Sequence, residues 1–474
     1  MEVSERSERT MEVSERSEVS GLRVVAVGLG VTGDAVLRWA HREGHSVVVV
    51  DDRLDAVAPA RLEVARALSV PVQVTPTGVA ADALLAAADL VVPSPGVPEG
   101  HPFLQAAVRA GVPRRSEVDL AAERLAARGR TLVAITGTNG KTTVTELTTA
   151  MCTASGVDAV AAGNIGAPLL DESARDADAV VVAEVSSFQL AFTTAAFRPR
   201  AAALLNVADD HLDWHRTFAA YAQAKARIFR SQGPADLLVY NADDPVVAAL
   251  AGEAPGRTIA FSVVPDAAAG YRVVTGATGR TLVTADGRTL VPVDALAATA
   301  PHDLANVLAA AALAVEVGAT SEGIADALRT FTRGAHRVQL VGEVDGVRFV
   351  DDSKATNVHA ALAAIRGFER AVLIAGGRNK GLDLAPLRTG ADHLVAVVAI
   401  GDSAADVVAA FTGVRPVVTA VSMADAVQAA RELAGPGDVV LLSPACASFD
   451  WFGSYAERGD DFAREVARLS EVSR

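Results

Sequence analysis

The sequence has few cysteines and no long apolar run. Its two cysteines, Cys152 and Cys446, lie in segments that otherwise indicate buried or turn-like structure. We therefore expect reduced packing thiols, which suit a reducing cytoplasm. No apolar run reaches the roughly 18 residues of a membrane-spanning helix, and the N-terminus lacks the apolar stretch of a secretion signal. Together these absences predict a soluble, cytoplasmic protein.

Long basic runs are also absent, and the net charge is −14. Both features argue against a nucleic-acid-binding surface as the main function. Half of the residues are apolar and only 21% are charged, so the chain has ample material for buried cores. The length of 474 residues predicts about three domains, which we place at residues 21–117, 118–333 and 334–474.

A short tail precedes the first of these domains. Residues 1–20 contain the octapeptide MEVSERSE twice, beginning at residues 1 and 11. A tract so rich in serine, glutamate and arginine cannot bury enough apolar surface to fold. We expect a disordered tail that takes no part in the function.

A glycine-rich turn in the second domain carries the strongest chemical signal. It follows the apolar run 131–135, which predicts a buried strand, and it leads into a helical pattern over residues 144–154. The backbone N–H groups of such a turn, a lysine and a hydroxyl that can reach Mg²⁺ form a cradle for nucleotide phosphates. The strict spacing of the common phosphate loop fails, because Ile135 occupies the place of its first glycine. The residues of the cradle are Gly137, Thr138, Asn139, Gly140, Lys141, Thr142 and Thr143.

The first domain begins with a strand, a glycine turn and a helix. The strand 22–27 is followed by Gly28–Gly33, and a second apolar strand ends at Asp51–Arg53, which is the pattern of a dinucleotide-binding fold. Nicotinamide binding is therefore one interpretation of this domain. A proline-braced turn, Ser94–Gly96, follows a further strand at the same edge of the sheet. We favour a cleft lined by these three segments for a nucleotide other than NAD, with plain sheet turns as the alternative.

Two strand ends in the second domain carry candidate metal ligands. Glu184 ends an apolar strand, and a carboxylate there suits Mg²⁺ held between protein and phosphate. His211 and His215 lie among aspartates after the next strand, and we favour His211 as the ligand. Simple exposure to solvent is the alternative for each of these side chains.

Lys225 occupies an apolar position in a helical stripe. Phe218, Tyr221, Lys225 and Ile228 repeat at the offsets of one helix face, so the pattern places a cation where a core needs a hydrocarbon. The ammonium group can reach solvent at the edge of the core. The alternative is burial, which lowers the pKa of the lysine and leaves a neutral amine available for chemistry or modification.

The rest of the chain predicts a small antiparallel patch and a further parallel α/β sheet. Residues 257–293 alternate as short strands, and Pro301 opens an alanine-rich helix with His302 and Asn306 on one face. Two lysines, a threonine and a serine at the strand ends of the last sheet suit a small anion such as a dicarboxylic amino acid. Arg337, at the domain junction, can reach back over the nucleotide. The strands of this sheet are 347–350, 371–375, 395–400 and 439–442.

These motifs occur in the order seen in the Mur ligase family. The blocks that resemble it are GTNGKTT at 137–143, EVSSFQL at 184–190, DDHLDWH at 209–215, YAQAKARIF at 221–229 and AHR at 335–337. DDSKATN at 351–357 and SPACASFD at 443–450 are similar to the branch of that family that adds D-glutamate. The resemblance covers residues 21–465. It implies an N-terminal Rossmann-like sheet that binds the UDP-substrate, a central P-loop ATPase-type α/β domain, and a C-terminal Rossmann-like α/β domain that binds D-glutamate.

The resemblance also implies a reaction. Members of that branch join D-glutamate to UDP-N-acetylmuramoyl-L-alanine with ATP and a pair of Mg²⁺ ions, through an acyl phosphate, in peptidoglycan precursor synthesis. We accordingly expect these partners, no nucleic acid, no membrane insertion and a monomer. A folylpolyglutamate synthase-like ligase is the alternative within the superfamily. An NAD-dependent dehydrogenase and a nucleotide-gated binding module without turnover are the alternatives outside it.

Residue roles are implied in the same way. Contacts with the UDP-substrate are implied for Gly30, Val31, Thr32, Asp51, Arg53, Gly96 and Asn164. Contacts with ATP outside the phosphate cradle are implied for Asn306, Arg337 and Asp352, and contacts with D-glutamate for Lys354, Thr356, Lys380, Ser448 and Tyr455. Metal ligands are implied at Thr142, Glu184, His211 and Lys225, the last as a carbamate, and catalytic roles at Lys141, His211 and Lys225. Asp303, Phe449 and Tyr455 depart from the family's usual residues on the adenine side and in the glutamate pocket.

Overall fold

Three sheets flanked by helices make up the computed structural model. It describes residues 21–277, 279–332 and 334–472, so the tail predicted at residues 1–20 lies outside the described residues. The α/β class and the mainly parallel sheets predicted from the sequence are confirmed. Both cysteines are buried and free, as expected. No helix in the described ranges is long and apolar enough to cross a bilayer.

The N-terminal sheet has four parallel strands in the order β3-β2-β1-β4. Its valine-rich inner strands are largely buried, as in other parallel sheets covered by helices. The strand order reverses between β1 and β4, which places a ligand crevice at the carboxyl ends of these two strands. The strands are β1 (Arg23–Val27), β2 (Ser46–Asp51), β3 (Val72–Val74) and β4 (Leu90–Pro93).

Helices alternate with these strands. The first begins at the end of the glycine turn and packs its apolar face against β1 and β2. A 3₁₀ segment, Leu54–Ala56, follows β2. The helices are α1 (Val31–Arg42), α2 (Pro59–Ala67), α3 (Gly78–Ala86) and α4 (Pro102–Arg109).

The central sheet has nine strands in the order β13-β12-β11-β10-β9-β8-β5-β7-β6. The antiparallel patch predicted at 257–293 is only partly right, because β10 and β11 extend the parallel sheet and only β11 to β13 pair antiparallel. A helix between β9 and β10 supplies the crossover that parallel pairing needs. The strands are β5 (Leu132–Thr136), β6 (Ala159–Gly163), β7 (Val180–Glu184), β8 (Ala201–Leu204), β9 (Leu237–Asn241), β10 (Arg257–Ser262), β11 (Tyr271–Gly276), β12 (Gly279–Val283) and β13 (Thr289–Pro292).

The helices of the central domain cover both faces of this sheet. The helix after β5 begins at the phosphate cradle and packs against two helices that follow β13, so the cradle is anchored in a buried layer. A 3₁₀ segment, Val293–Ala295, precedes those two helices. The helices are α5 (Glu117–Ala127), α6 (Lys141–Ala154), α7 (Leu169–Glu172), α8 (Ser187–Ala191), α9 (Leu212–His215), α10 (Phe218–Arg230), α11 (Pro245–Ala251), α12 (Pro301–Glu316) and α13 (Ser321–Thr330).

The C-terminal sheet has six strands in the order β14-β15-β19-β16-β17-β18. The four predicted strands are present and parallel, whereas the two edge strands were not predicted. The antiparallel edge strand β14 is half-exposed and bulged, and β18 has three residues, so neither carries a clear apolar pattern. The strands are β14 (Gln339–Val344), β15 (Val347–Asp351), β16 (Ala371–Gly376), β17 (Leu394–Ile400), β18 (Val417–Thr419) and β19 (Val439–Leu442).

The helices of this domain enclose two apolar clusters, one on each face of the sheet. The last helix carries Arg458, which is almost fully buried and donates to the backbone carbonyls of Ser353 and Cys446. This guanidinium therefore ties together two of the loops that follow the strands. The helices are α14 (Val358–Ile365), α15 (Ala404–Phe411), α16 (Met423–Leu433) and α17 (Tyr455–Val472), with a 3₁₀ segment at Ala385–His393.

Because α1 packs closely on the glycine turn, we expect a side chain at position 33 to destabilise the fold. A Cβ atom there would lie 2.2 Å from the Gly28 carbonyl oxygen, whereas a Cβ atom at Gly30 meets nothing within 4 Å. We expect Gly33→Ala to lower the free energy of unfolding by about 1–3 kcal/mol. Gly30→Ala, in the same turn, should change it by less than about 1 kcal/mol. Urea unfolding of both variants measures this, and equal effects would contradict it.

Burial of Glu117 predicts a pH-dependent stability. Its carboxyl accepts a hydrogen bond from the Leu170 N–H at 2.5 Å, and burial raises the pKa of Glu117 to about 7. The unfolded state loses this proton near pH 4, whereas the folded state keeps it up to about pH 7. Ionisation therefore favours the unfolded state, and the side chain destabilises the fold increasingly as pH rises from about 4 to 7. We expect Glu117→Gln to raise the free energy of unfolding by about 2 kcal/mol at pH 8 and by little at pH 5.

The control for this prediction is Glu63→Gln, which changes an exposed glutamate. It should show the same pH dependence as the wild type. Thermal unfolding across the pH range measures all three proteins. A gain from Glu117→Gln that is equal at pH 5 and pH 8 would rule out the titration of this carboxyl as the cause.

Candidate functional site

A cavity of about 690 Å³ lies where the central and C-terminal domains meet. Its walls come from the phosphate cradle, the ends of β7 to β9, the start of α12 and the loops after β15. These segments are all carboxyl ends of parallel strands or amino ends of helices, which is where an α/β protein places ligand groups. Residues that follow the strands of two separate sheets thus line one cavity.

The phosphate cradle forms a tight turn at the amino end of α6. Gly140 adopts φ +84°, and a Cβ atom there would lie 2.5 Å from the Asn306 Oδ1 atom. Asn206 fixes the turn from β8, because its side chain accepts from the Asn139 N–H at 2.8 Å and donates to the Asn139 carbonyl at 3.0 Å. Asn206 was not among the predicted site residues, although a polar residue at the end of the neighbouring strand was a usable signal.

Two lysines converge on one carbonyl oxygen of this turn. The Lys141 ammonium donates to the Gly137 and Thr138 carbonyls at 2.8 and 2.9 Å, and the Lys225 ammonium donates to the Gly137 carbonyl at 2.7 Å. Lys225 is 1% exposed, so burial of this helix position is confirmed. Burial, followed by the charge of Lys141, lowers the pKa of Lys225 far below its ordinary value. A neutral amine is therefore accessible at this position.

Glu184 lies at the centre of an oxygen-rich group beside the cradle. It is 2% exposed, accepts from the Thr142 hydroxyl at 2.7 Å and from the Asn164 amide at 2.7 Å. A carboxylate, a hydroxyl and an amide oxygen next to a phosphate turn fit the hard-oxygen coordination of Mg²⁺. No cluster of three or more His, Cys, Asp or Glu side chains suited to a metal occurs in the described part of the chain, so phosphate or other oxygens would have to complete such a site.

His211 and His215 have different environments. His211 lines the cavity in a left-handed conformation with φ +54°, and burial lowers its pKa to about 3, so its imidazole is neutral. His215 is buried, lies 2.9 Å from the Ser187 hydroxyl and stacks on Phe188. His211 therefore lines the main cavity, whereas His215 does not, and the role of His211 as a metal ligand stays a prediction.

Asp210 connects the two domains and was not among the predicted site residues. Its carboxylate accepts from the Lys380 ammonium at 3.0 Å and from the Asn357 amide at 3.1 Å, and it is 4% exposed. Asn357 also bonds with Asn139 of the phosphate cradle at 3.0 and 3.2 Å. These contacts hold the C-terminal loops directly over the cradle.

The remaining nucleotide candidates also line this cavity. Asn306 and Arg337 contribute from α12 and from the domain junction. Two residues around Arg337 are left-handed, His336 at φ +62° and Val338 at φ +50°, and the His336 imidazole lies 2.6 Å from the Asp351 carboxylate. Asp352 accepts from the Ser443 hydroxyl at 2.8 Å, and burial raises its pKa to about 7. Asp303 lines the same wall.

The candidates for the acidic substrate fall into two groups. Lys354 and Thr356 line the cavity, and the Lys354 ammonium lies 3.8 Å from the centroid of the Tyr455 ring. Burial lowers the pKa of Lys354 to about 8. Ser448 is only 2% exposed within its loop, whereas the neighbouring Phe449 is 64% exposed. The structure thus brings Lys354, Thr356 and Tyr455 together and leaves Ser448 beneath the surface.

The first-domain candidates lie at the β1–β4 crevice, apart from the main cavity. Gly30, Val31 and Thr32 lead into α1, and Gly96 has open space where a Cβ atom would stand. The Asp51 carboxylate accepts from the backbone N–H groups of Leu29 and Arg53 at 2.8 and 2.9 Å, so it braces the turn itself. Asn164, which was grouped with these residues, lines the main cavity instead.

All four lysines of the chain lie in or next to the main cavity. Lys141 and Lys354 line it, Lys380 contacts its wall through Asp210, and Lys225 lies beneath the phosphate cradle. Every other basic side chain that is charged at neutral pH is an arginine. The ammonium groups of the chain are therefore concentrated where a triphosphate and a dicarboxylate would need them.

Three family models together match most of the described chain. The Mur ligase MurD-like N-terminal domain matches residues 22–115, the Mur ligase middle domain matches 135–314, and the Mur ligase glutamate ligase domain matches 336–446. The three matches correspond to the three sheets. The middle-domain match contains the phosphate cradle, and the last match contains Lys354 and Lys380.

Relatives with solved structures share the fold. The MurF ligase of Thermotoga maritima in complex with ADP has a TM-score of 0.59 and 16% identity, with 97% of each chain covered. The UDP-N-acetylmuramate-alanine ligase MurC of the same organism has a TM-score of 0.58 and 18% identity, covering 96% of this chain and 100% of the other.

Curated relatives are more similar in sequence. The UDP-N-acetylmuramoylalanine--D-glutamate ligase of Pelotomaculum thermopropionicum is 41% identical over 95% of this chain and 98% of its own length. The protein of the same name from Frankia casuarinae is 44% identical over 94% of each chain. The chain therefore belongs to the Mur ligase family, in the group of the UDP-N-acetylmuramoylalanine--D-glutamate ligases.

Proposed function

We propose that this protein is an ATP-dependent amide ligase that joins D-glutamate to UDP-N-acetylmuramoyl-L-alanine. The observation that carries the proposal is one cavity in which a phosphate cradle faces Lys354 and Thr356 across a domain boundary. The names of the relatives support the same two substrates. Domain limits at 21–117, 118–333 and 334–474, a cytoplasmic location and a monomeric state remain part of the proposal.

ATP would bind with its phosphates on the cradle at the start of α6. The N–H groups of the turn and Lys141 would offset the negative charge of the transferring phosphoryl group. Asn306, Arg337 and Asp352 line the same cavity and would contact the rest of the nucleotide. Arg337 lies between two left-handed residues, His336 and Val338.

Mg²⁺ would be held by Thr142 and Glu184, whose side chains already lie 2.7 Å apart. A second ion would be held near His211 and Lys225. Bound Mg²⁺ would supply positive charge that offsets the charge on the phosphates. A carbamate on Lys225 would convert its buried cation into an anion, and the depressed pKa of this lysine favours the neutral amine that reacts with carbon dioxide.

The chemistry follows from the weak reactivity of a carboxylate. The L-alanyl carboxylate oxygen attacks the γ-phosphorus of ATP, which forms an acyl phosphate and releases ADP. The amine of D-glutamate then attacks the acyl carbon, loses a proton, and the tetrahedral intermediate expels inorganic phosphate. Asn164, beside Glu184, would orient the muramoyl substrate. The contacts of Asp210 with Lys380 and Asn357 would close the cavity and keep water from the acyl phosphate.

The acidic substrate would bind on the C-terminal side of the cavity. In the structure, the Lys380 ammonium pairs with the Asp210 carboxylate. A carboxylate of D-glutamate would pair with the same ammonium in a similar way. Lys354, Thr356, Ser448 and Tyr455 complete the proposed pocket. The UDP-substrate would occupy the crevice between β1 and β4, with contacts at Gly30, Val31, Thr32, Asp51, Arg53 and Gly96.

The folylpolyglutamate synthase-like alternative has less support. The MurD-like N-terminal domain model matches residues 22–115, which form a complete first sheet. The same match argues against an NAD-dependent dehydrogenase. The phosphate cradle in a second sheet also has no place in a simple nicotinamide enzyme.

The substrate requirement is the first test. Phosphate release should need ATP, UDP-N-acetylmuramoyl-L-alanine and D-glutamate together, because the acyl phosphate forms on one substrate and is consumed by the other. Lys141→Ala should lower kcat by about a hundredfold or more, because the transferring phosphoryl group loses a charged donor. Arg388→Ala, which removes an exposed cation of the C-terminal domain, is the control and should leave kcat unchanged. Turnover with ATP alone, or without D-glutamate, would falsify the proposal.

The role of Lys225 is tested by chemical rescue. Lys225→Ala should nearly abolish activity, and added acetate or propionate should restore part of it by supplying the missing carboxylate group. Lys141→Ala should not respond to these acids, since it lacks a cation rather than an anion. A carbamate carbon signal from labelled bicarbonate should be present in the wild type and absent from Lys225→Ala. Full activity of the variant would exclude the carbamate role.

A further inference from the structure

A second cavity of about 330 Å³ lies between the N-terminal and central domains. It shares no lining residue with the main cavity. One wall comes from the segment around Gly100 that leads into α4, and the other comes from α10 and the end of α9. Its lining contains three arginines, Arg216, Arg227 and Arg230, and a single acid, Glu99.

None of these arginines forms a salt bridge with an aspartate or glutamate among the described residues, although the Glu99 and Asp119 carboxylates lie near enough to Arg227 to act against the lowering of its pKa. Elsewhere in the described part of the chain, most salt bridges join an arginine to such a carboxylate. Arg227 donates to the Thr193 carbonyl, and Arg230 donates to the Gln223 side chain. In a chain of net charge −14, this cavity is a local excess of positive charge, with three arginines and one glutamate in its lining.

Of the three guanidinium groups, only that of Arg227 is partly buried, and those of Arg216 and Arg230 are exposed. Burial and the nearby charge of Arg230 lower the pKa of Arg227, and Glu99 and Asp119 act in the opposite direction. His215, which also lines the cavity, adds no charge because burial lowers its pKa to about 4. The partly desolvated guanidinium of Arg227 forms no salt bridge with either nearby carboxylate, so an anion bound in the cavity would add a favourable counter-charge.

The backbone conformation of Arg216 is unusual. Its backbone is left-handed with φ +65°, which is unfavourable for a residue with a side chain. Its guanidinium packs against Gly100, where a Cβ atom would lie 2.4 Å from the Nη2 atom. The absence of a side chain at Gly100 leaves room for this guanidinium at the cavity, where it makes no side-chain hydrogen bond within the described part of the protein.

We propose that this cavity is a second anion site that binds a phosphate group of a small molecule. Three guanidinium groups supply more donors than one planar carboxylate can accept, whereas a tetrahedral phosphate offers oxygens in several directions. The cavity is larger than one phosphate, which leaves room for the organic part of a phosphate ester. The site extends beyond the proposed ligase reaction. It joins the first domain to α10, the helix that also carries Lys225.

Binding can be measured in Lys141→Ala, which removes a charged donor from the phosphate cradle, and the arginine changes below assign the remaining binding to the second site. The probes are inorganic phosphate and glycerol phosphate, followed by tryptophan fluorescence, since Trp214 lines the cavity, and by thermal shift. Both probes should bind saturably. Adding Arg216→Gln and Arg230→Gln should weaken binding by about tenfold or more, because charged hydrogen bonds are lost. Tighter binding of the ester would identify a phosphorylated metabolite as the ligand, and tighter binding of the free ion would identify phosphate itself.

The matched control adds Arg348→Gln and Arg388→Gln to Lys141→Ala, which removes the same charge from exposed positions of the C-terminal domain. This control should bind both probes as Lys141→Ala does. Far-ultraviolet circular dichroism checks whether the double change disturbs folding. If it does, Arg216→Gln alone is added to Lys141→Ala instead. Absence of saturable binding in Lys141→Ala, or equal binding after the Arg216 and Arg230 changes, would overturn the proposal. Because no step uses turnover, these outcomes are independent of the ligase assay.

Discussion

The Gly137 carbonyl oxygen is shared by two ammonium groups, and the site depends on this arrangement. Lys141 reaches it from the amino end of α6 and Lys225 reaches it from α10. Two cations this close, one of them fully buried, depress the basicity of Lys225. The phosphate cradle and the buried helix are therefore coupled electrostatically, and anything that adds negative charge here relieves the repulsion.

A second constraint is that the site is shared between domains. Asn139 of the cradle bonds with Asn357, and Asp210 binds both Asn357 and Lys380. The lysine that the proposed reaction needs for an acidic substrate is thus already paired with a protein carboxylate. An incoming carboxylate and Asp210 would compete for the same ammonium, which links substrate binding to the contact between the domains.

Local features of the site could be read from the sequence, whereas contacts between distant segments could not. The cradle at 137–143 follows from glycine spacing between a strand and a helix. The period of α10 places Lys225 on the apolar face, but it left open whether the ammonium group reaches solvent. The pairing of Asp210 with Lys380 joins residues 170 positions apart, so it depends on how two domains meet. The edge strands β14 and β18 escaped prediction because their exposed faces lack an apolar pattern. The antiparallel assignment of β10 failed because the crossover helix α11 was not included.

The distribution of lysine has a practical consequence. With all four side-chain amines gathered around one cavity and the remaining permanent cations carried by guanidinium groups, the surface offers amine-directed reagents almost nothing else to attack. Isocyanates, active esters and reductive methylation would act on this protein as site-directed labels, with only the α-amino group as a competitor. The extent of lysine labelling should therefore report whether the central cavity is occupied.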